Sequence, residues 1–263
     1  MISSLPDRAS DTSERHREIL EMARQHNGVS VDALATHFGV SVQTIRKDLN
    51  QLCEQRQLTR VHGGAMLPSG VENLEYEARR RIAAEAKDAI GKAVANLIPN
   101  DASLFINIGT TTEAVSQALL DHAGLMVVTN NINVANRMRV YPRFEVVIAG
   151  GVVRPSDGGV VGEAAAGFFS QFKVDYAVIG ASALDEQGAL LDFDYREVKV
   201  AQAIIANARH VILVADQGKF SRSAPVRIAR IDQIGSFVTD HCPSDAFRQL
   251  CTDAGVALIE TGP

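Results

Sequence analysis

The sequence predicts two units of different class: a mainly α winged helix-turn-helix at the N-terminus and a larger α/β domain behind it. Three observations carry this. Val29–Leu67 holds two short helical patterns, a glycine turn and a polar hairpin in that order. From Ser103 onward, short runs that are apolar throughout alternate with helical patterns, the signature of a mainly parallel sheet covered on both faces. At 263 residues the chain has room for a small and a medium domain.

Residues 1–12 are polar, contain Pro6 and read as a loose arm; residues 13–67 read as the first domain. Ser13 is placed to cap a first helix with the stripe Ile19, Leu20, Met22 and Ala23, ended by Gly28. Ser30 caps the next, whose Asp32 suits the positive end of the helix dipole. Leu34, Ala35 and Phe38 share one face. Gly39 makes the turn, Val40 plugs it, and Ser41 caps a third helix.

In that third helix Val42, Ile45, Leu49, Leu52 and Cys53 repeat at helical spacing and face inward. Gln43, Thr44, Arg46, Lys47 and Asn50 are left outside, mostly on the N-terminal half that meets base edges in a recognition helix. Gln pairs with adenine, Arg with guanine, and the Thr methyl meets thymine's methyl. Lys47 suits a phosphate contact, and Asp48 reads as an intramolecular partner for an arginine. Leu58–Leu67 reads as two short strands joined at Gly63-Gly64, with Arg60 and His62 beside the tip, as in a wing that touches the DNA backbone. The predicted DNA contacts are therefore Ser41, Gln43, Thr44, Arg46, Lys47, Asn50, Arg60, His62 and Gly63, and the predicted partner is double-stranded operator DNA. The bland alternative, a three-helix bundle with solvated charges, leaves the caps, turn glycine, basic face and wing without a common purpose.

Bulk charge points the other way until it is mapped. The net charge is −5, but Ser41–Met66 carries a surplus of two positive charges and the excess of acid lies from Leu67 onward. A local basic face suffices for phosphate contact. With no Trp and 5% aromatic residues, an aromatic sugar platform or base-stacking sheet is not expected. Cys53, Cys242 and Cys251 are odd in number and form no CxxC pair, so neither a zinc site nor a disulfide framework is expected. No metal or cofactor is expected. Neither a signal peptide nor a run of roughly 18 apolar residues is visible, and the expected location is cytoplasmic.

Residues 68–80 read as a linker and 81–263 as the second domain. A charged helical segment, Glu75–Leu97, carries the stripe Ile82, Ala86, Ile90, Ala93, Val94 and Leu97; Arg79, Arg80 and Arg81 read as its solvated face. Strands are expected at Ser103–Ile108, Leu125–Thr129, Phe144–Ala149, Tyr176–Gly180, Val211–Ala215, Ser236–Thr239 and Val256–Ile259. Helices are expected at Glu113–His122, Ile132–Val140, Glu163–Phe172, Tyr195–Ala208 and Ser244–Ala254.

Ligands of such sheets sit beyond the carboxyl ends of the strands, so the turns there are the candidates. Gly109-Thr110-Thr111-Thr112 opens a helix and joins a close-approach glycine, hydroxyls and free N–H groups, which can cradle a phosphate. No lysine follows as in a Walker A loop, so nucleotide triphosphate hydrolysis is not expected. The plain alternative is a capped helix start. Asn130 and Asn131 follow the second strand; Gly150, Gly151, Arg154 and Asp157 follow the third. Asp194 and Glu197 come later and offer acceptors for hydroxyls, and Lys219 offers an ammonium for a phosphate.

SVQTIRKDLNQLCEQRQLTRVHGGA resembles the N-terminal signature of DeoR-family regulators, through Thr44-Ile45-Arg46, Asp48-Leu49, Leu52 and His62-Gly63-Gly64-Ala65. FINIGTTTEAV, VVTNNINVAN, VVIAGGVVRPSDGGVVGEA and FDYREVKVAQAII resemble the sensor domain of the same family. The resemblance implies a dimeric or tetrameric repressor and a sensor similar to ribose-5-phosphate isomerase-like folds. It also implies a small phosphorylated polyol as inducer, with sn-glycerol 3-phosphate the leading candidate. The rival is a sugar-phosphate isomerase-like enzyme with an appended helical domain. Glu197 falls in REVK, which resembles the isomerase segment holding the catalytic glutamate. SALDEQGALLDFDY, however, lacks the lysine and glycine-rich continuation of those enzymes, so binding without turnover is expected.

Overall fold

The computed structural model describes residues 8–26, 29–55, 57–61, 63–66 and 76–262. Gly28, His62 and most of the expected linker lie outside them. The chain divides into two compact units, Met1–Glu72 and Asn73–Pro263.

The smaller unit runs α1 (Arg8–His26), β1 (Val29–Ser30), α2 (Val31–Phe38), α3 (Val42–Glu54), β2 (Thr59–Val61) and β3 (Gly64–Met66). The first helix starts at Arg8, not after Ser13, so Ser13 is a helical residue and residues 8–12 are not part of a loose arm. No proline or glycine interrupts Arg8–Ser13. Ser30 Oγ accepts the Ala33 N–H at 3.1 Å, and Ser41 Oγ accepts the Thr44 N–H at 3.1 Å. Gly39 ends α2 in the left-handed region at φ 62°. Ile19, Ala23, Leu34, Ile45, Leu49, Leu52 and Leu58 form the buried core, with Cys53 at its margin.

The three strands pair antiparallel in the order β1-β3-β2. Gly64 is forced by space: a Cβ there would lie 2.0 Å from the Val29 carbonyl oxygen, because β3 is pressed against β1.

The larger unit opens with α4 (Tyr76–Arg81) and α5 (Ala84–Ala95). The expected single helix is broken there by Ala83, left-handed at φ 52°, a conformation that costs an alanine roughly 1–2 kcal/mol. The break shifts the helical register, so Ile82 is exposed while Lys87, Ile90, Gly91 and Val94 face inward. A Cβ on Gly91 would lie 2.8 Å from the Ala114 carbonyl oxygen.

A seven-stranded parallel sheet follows: β4 (Ser103–Ile106), β5 (Met126–Thr129), β6 (Glu145–Ile148), β9 (Val174–Gly180), β12 (Ala208–Val214), β14 (Ser236–Thr239) and β15 (Ala257–Glu260). Its order is β15-β14-β12-β9-β4-β5-β6. The chain thus builds outward from β4 to β6, returns to β9 and builds the other way, leaving a topological switch point between β4 and β9. Side chains alternate across the sheet: Leu104 and Ile106 join Ile90, Val94, Val115, Leu119, Val134 and Met138 on one face. Phe105 joins Phe169, Val198, Ile204, Phe237 and Phe247 on the other. The covering helices are α5, α6 (Thr110–Ala118) and α7 (Ile132–Met138) on the first face, and α8 (Glu163–Phe169), α9 (Tyr195–Ala206) and α10 (Asp245–Asp253) on the second.

Two small sheets fall outside the sequence expectation. One is the hairpin β7 (Val152–Val153) and β8 (Val160–Val161); the other joins β10 (Ala183–Leu184), β11 (Ala189–Asp192) and β13 (Val226–Arg230). No helix among the described residues is long and apolar enough to cross a membrane.

Candidate functional site

The smaller unit presents a polar face on α3. Gln43, Arg46, Lys47 and Asn50 are exposed, and Thr44 is half-buried with its hydroxyl 2.9 Å from Ser41 Oγ. Ser41 and Thr44 therefore fix the start of the helix. Asp48 is buried and accepts from Arg15 of α1 through Nε at 2.7 Å and an Nη at 3.2 Å, and it lies 3.2 Å from His16 Nε2. The carboxylate in the middle of the basic helix is thus turned inward and neutralised, which leaves the outer face cationic. Arg60 donates to the Gly64 carbonyl across the wing at 3.2 Å, and Gly63 is exposed at its tip. Arg46→Ala is expected to weaken operator binding by roughly 10- to 100-fold, the worth of one bidentate base contact, and to relax base preference; an unchanged footprint would remove α3 from the reading role.

In the larger unit the sequence-predicted turns meet at the switch point. Gly109, at φ 146° and without a side-chain cap, opens α6 in a conformation that only glycine adopts readily. The first N–H groups of Thr110 and Thr111 are then left without helical carbonyl partners. Thr112 is spent internally: its buried hydroxyl contacts the Asn107 and Gly109 carbonyls at 2.7 and 2.8 Å. Gly159 lies so close to Ile108 that a Cβ would come within 2.4 Å of Ile108 Cδ1, bringing the β7–β8 hairpin against this loop. Asn130 donates to the Val160 carbonyl at 3.0 Å, while Asn131 caps α7 and donates to Glu113 at 3.1 Å. The Oδ1 atoms of Asn107 and Asn130 are buried with no hydrogen-bond partner. Gly150 and Gly151 lie between β6 and β7, with Val160 Cγ1 3.0 Å from a Cβ built on Gly151.

Arg154 is not an open anion ligand. Its guanidinium donates to Asp157 at 2.9 and 2.7 Å, to Asp194 at 3.1 Å and to Glu197 at 2.6 Å. Burial raises the Asp157 carboxyl, but its Arg154 bonds outweigh this and hold it below the usual range. Burial and the Asp192 charge push the Glu197 carboxyl up against the same ion pair. This acidic zone holds its oxygens in fixed positions around one cation.

Beside it lies a cationic zone that the sequence reading largely missed. Lys219 is buried, and its ammonium is pressed down to about 7 by burial and by Arg222, with Arg79 and Lys87 adding to the effect and Asp216 opposing it. Lys87 is lowered to about 8, first by burial. Arg79 was expected on a solvated face; instead it donates to Asp157 at 3.2 Å, and its Nε is buried without a partner. Of its neighbours, Arg80 pairs with Glu77 at the surface. Tyr76 and Arg79, three residues apart, share the inward face of α4, a helical spacing that could have separated Arg79 from Arg80 and Arg81. Lys87 had a similar signal, three residues before Ile90. Lys219 was a candidate from the sequence; Arg222 lies beyond its turn and had no signal. A hollow of about 160 Å³ opens alongside, lined by Lys87, Thr110, Glu113 and Arg137. Four cations, Arg79, Lys87, Lys219 and Arg222, gather by the buried carboxylates Asp216, Glu113 and Asp157 next to uncapped helix N–H groups, and with Asp157 already paired to Arg154 they favour a bound anion.

Residues 15–71 match the DeoR-like helix-turn-helix domain and residues 82–241 the DeoR C terminal sensor domain. The chain belongs to the DeoR family. It is 46% identical to the glycerol-3-phosphate regulon repressor of Escherichia coli (strain K12) over 94% of this chain and 98% of the relative. It is also 46% identical to the glycerol-3-phosphate regulon repressor of Haemophilus influenzae, over 88% and 90% of the two chains. Among solved structures, a D-ribose-5-phosphate isomerase in complex with phospho-erythronic acid is similar at 17% identity and TM-score 0.39, covering 52% of this chain and 54% of that one. The α3 face lies within the stretch that matches the helix-turn-helix domain, and the switch-point turns lie within the stretch that matches the sensor domain.

Proposed function

We propose that this DeoR-family chain is a DNA-binding transcriptional repressor of glycerol-metabolism genes, released from its operator by sn-glycerol 3-phosphate. The observation that carries the sensor half is the cationic zone of Arg79, Lys87, Lys219 and Arg222 beside the acidic zone around Arg154. The first suits a phosphate and the second offers acceptors to hydroxyls, which is the chemistry of a small phosphorylated polyol. The two relatives named for the glycerol-3-phosphate regulon point to the same ligand. The isomerase-like alternative is not favoured: Glu197, the residue it needs as a base, is tied to Arg154 at 2.6 Å.

A homodimer or tetramer would place two α3 faces on half-sites one helical turn apart. The test is a gel shift on the DNA upstream of the chain's own gene, titrated with sn-glycerol 3-phosphate, glycerol and ribose 5-phosphate. Retarded DNA released by sn-glycerol 3-phosphate at concentrations where the other two are inert is the expected result. Release by ribose 5-phosphate alone would replace the effector, and absence of any retardation would sink the repressor reading.

A further inference from the structure

Two of the four cations around the site belong to the segment by which the chain comes from the smaller unit. Arg79 is on α4, the first described element after the Glu72–Asn73 division, and Lys87 is on α5 just beyond it. Three side-chain ties hold α4. Tyr76 donates its hydroxyl to Glu113 at 2.7 Å and accepts from Asn133 at 3.0 Å. Arg79 donates to Asp157 at 3.2 Å. Lys87 donates to the carbonyls of Arg79 and Ile82, closing the C-terminal end of α4. Immediately after comes Ala83 in its left-handed conformation.

Two of these ties use the cations that an anion would recruit. Arg79 can leave Asp157 without stranding a buried carboxylate, because Arg154 still donates to both Asp157 oxygens. Arg79 also has an unsatisfied Nε to gain a partner for. Lys87 likewise trades neutral carbonyls for a charged oxygen, the stronger kind of hydrogen bond. We propose that an anionic ligand at this site takes Arg79 from Asp157 and Lys87 from the carbonyls of Arg79 and Ile82, so that the C-terminal end of α4 opens and the helix, held by the ligand in place of Asp157, shifts about Ala83 and is the element through which the sensor acts on the DNA-binding unit. This rests on the reading of the cluster as an anion-effector site. A ligand can shift such an equilibrium only by its differential affinity for the two arrangements, and the effect is reciprocal. Loosening α4 must therefore tighten ligand binding.

The test uses the full chain with inorganic phosphate and with sn-glycerol 3-phosphate, followed by calorimetry and by hydrogen exchange of the peptides 76–83 and 84–95. Exchange in 76–83 is expected to rise with ligand while 84–95 stays constant. Tyr76→Phe, which leaves Glu113 its two asparagine donors, is expected to bind ligand several-fold more tightly, whereas Arg79→Gln loses at least about tenfold. A purely structural role for Tyr76 would weaken binding or leave it unchanged, and either outcome overturns the coupling. Binding to the wild-type chain with unchanged exchange in 76–83 also overturns it. Phosphate binding with the exchange response, but no binding of sn-glycerol 3-phosphate, supports the coupling and removes the proposed effector. Binding of neither removes both.

Discussion

Lys219→Met is expected to stabilise the sensor unit while removing most of its affinity for a phosphorylated ligand. Lys219 is buried and its ammonium is held down at about 7 from an ordinary 10.5. At about 1.4 kcal/mol per pKa unit, this is on the order of 5 kcal/mol of penalty on the charged form. The sign follows from proton binding. Between about 7 and 10.5 the unfolded chain holds a proton that the folded chain does not, so stability rises with pH across that window. Below about 7 both states are protonated and the full penalty remains. Methionine keeps the stem and drops the charge. Denaturant unfolding should therefore show the variant ahead of the wild type by its largest margin at pH 6, with the margin closing towards pH 10. The same charge is what a phosphate would use: ligand affinity should fall by roughly 10- to 100-fold in the variant. In the wild type it should decline above about pH 7 as Lys219 loses its proton. A variant that is less stable at every pH yet binds phosphate normally would remove Lys219 from the site.

Gly64→Ala should have the opposite signature, failing at the operator and leaving the sensor alone. The new Cβ would meet the Val29 carbonyl oxygen at 2.0 Å and the Val29 carbon at 3.0 Å, both backbone atoms that no rotamer change can clear. The β1–β3 pairing, Val29 with Ala65 and Ser30 with Gly64, must open. Overpacking of this kind costs about 1–3 kcal/mol, a large share of what so small a unit has to lose. Operator affinity should drop by at least about tenfold, with unfolding of the smaller unit shifted to lower temperature and phosphate binding unchanged. Intact operator binding would show that the wing and its anchorage on β1 are dispensable.

The central strands of the parallel sheet were legible because a strand buried on both faces is apolar throughout, as in LFI and VILV. The antiparallel sheet of β10, β11 and β13 was not. Val226–Arg230 alternates arginines with apolar residues in a short run, and β11 carries a register shift between Leu190 and Leu191. The exposed side of α3 followed from helical periodicity, and Asp48 was legible as the partner of an arginine, though not that the arginine is Arg15. For the larger unit, the turns after strands were legible, and Gly109, Asn130 and Asn131 gather at the carboxyl ends of β4 and β5. Arg79 and Lys87 were hidden by the expectation of one continuous helix, since a left-handed alanine has no composition signal. Arg154 misled because two carboxylates distant in sequence, Asp194 and Glu197, converge on it beside the nearby Asp157.

The contact at Gly91 has a consequence for how this molecule can be altered. With α5 pressed backbone to backbone on α6 at Ala114, everything from Ala84 onward forms one receptor whose interior spacing is fixed. Ahead of it the chain has a joint at Ala83. Changing the number of residues between Glu72 and Tyr76 should retune how strongly ligand occupancy is transmitted while Tyr76, Arg79 and the packing behind them keep their places. A side chain at residue 91 would do the reverse, wedging the receptor open without touching the joint.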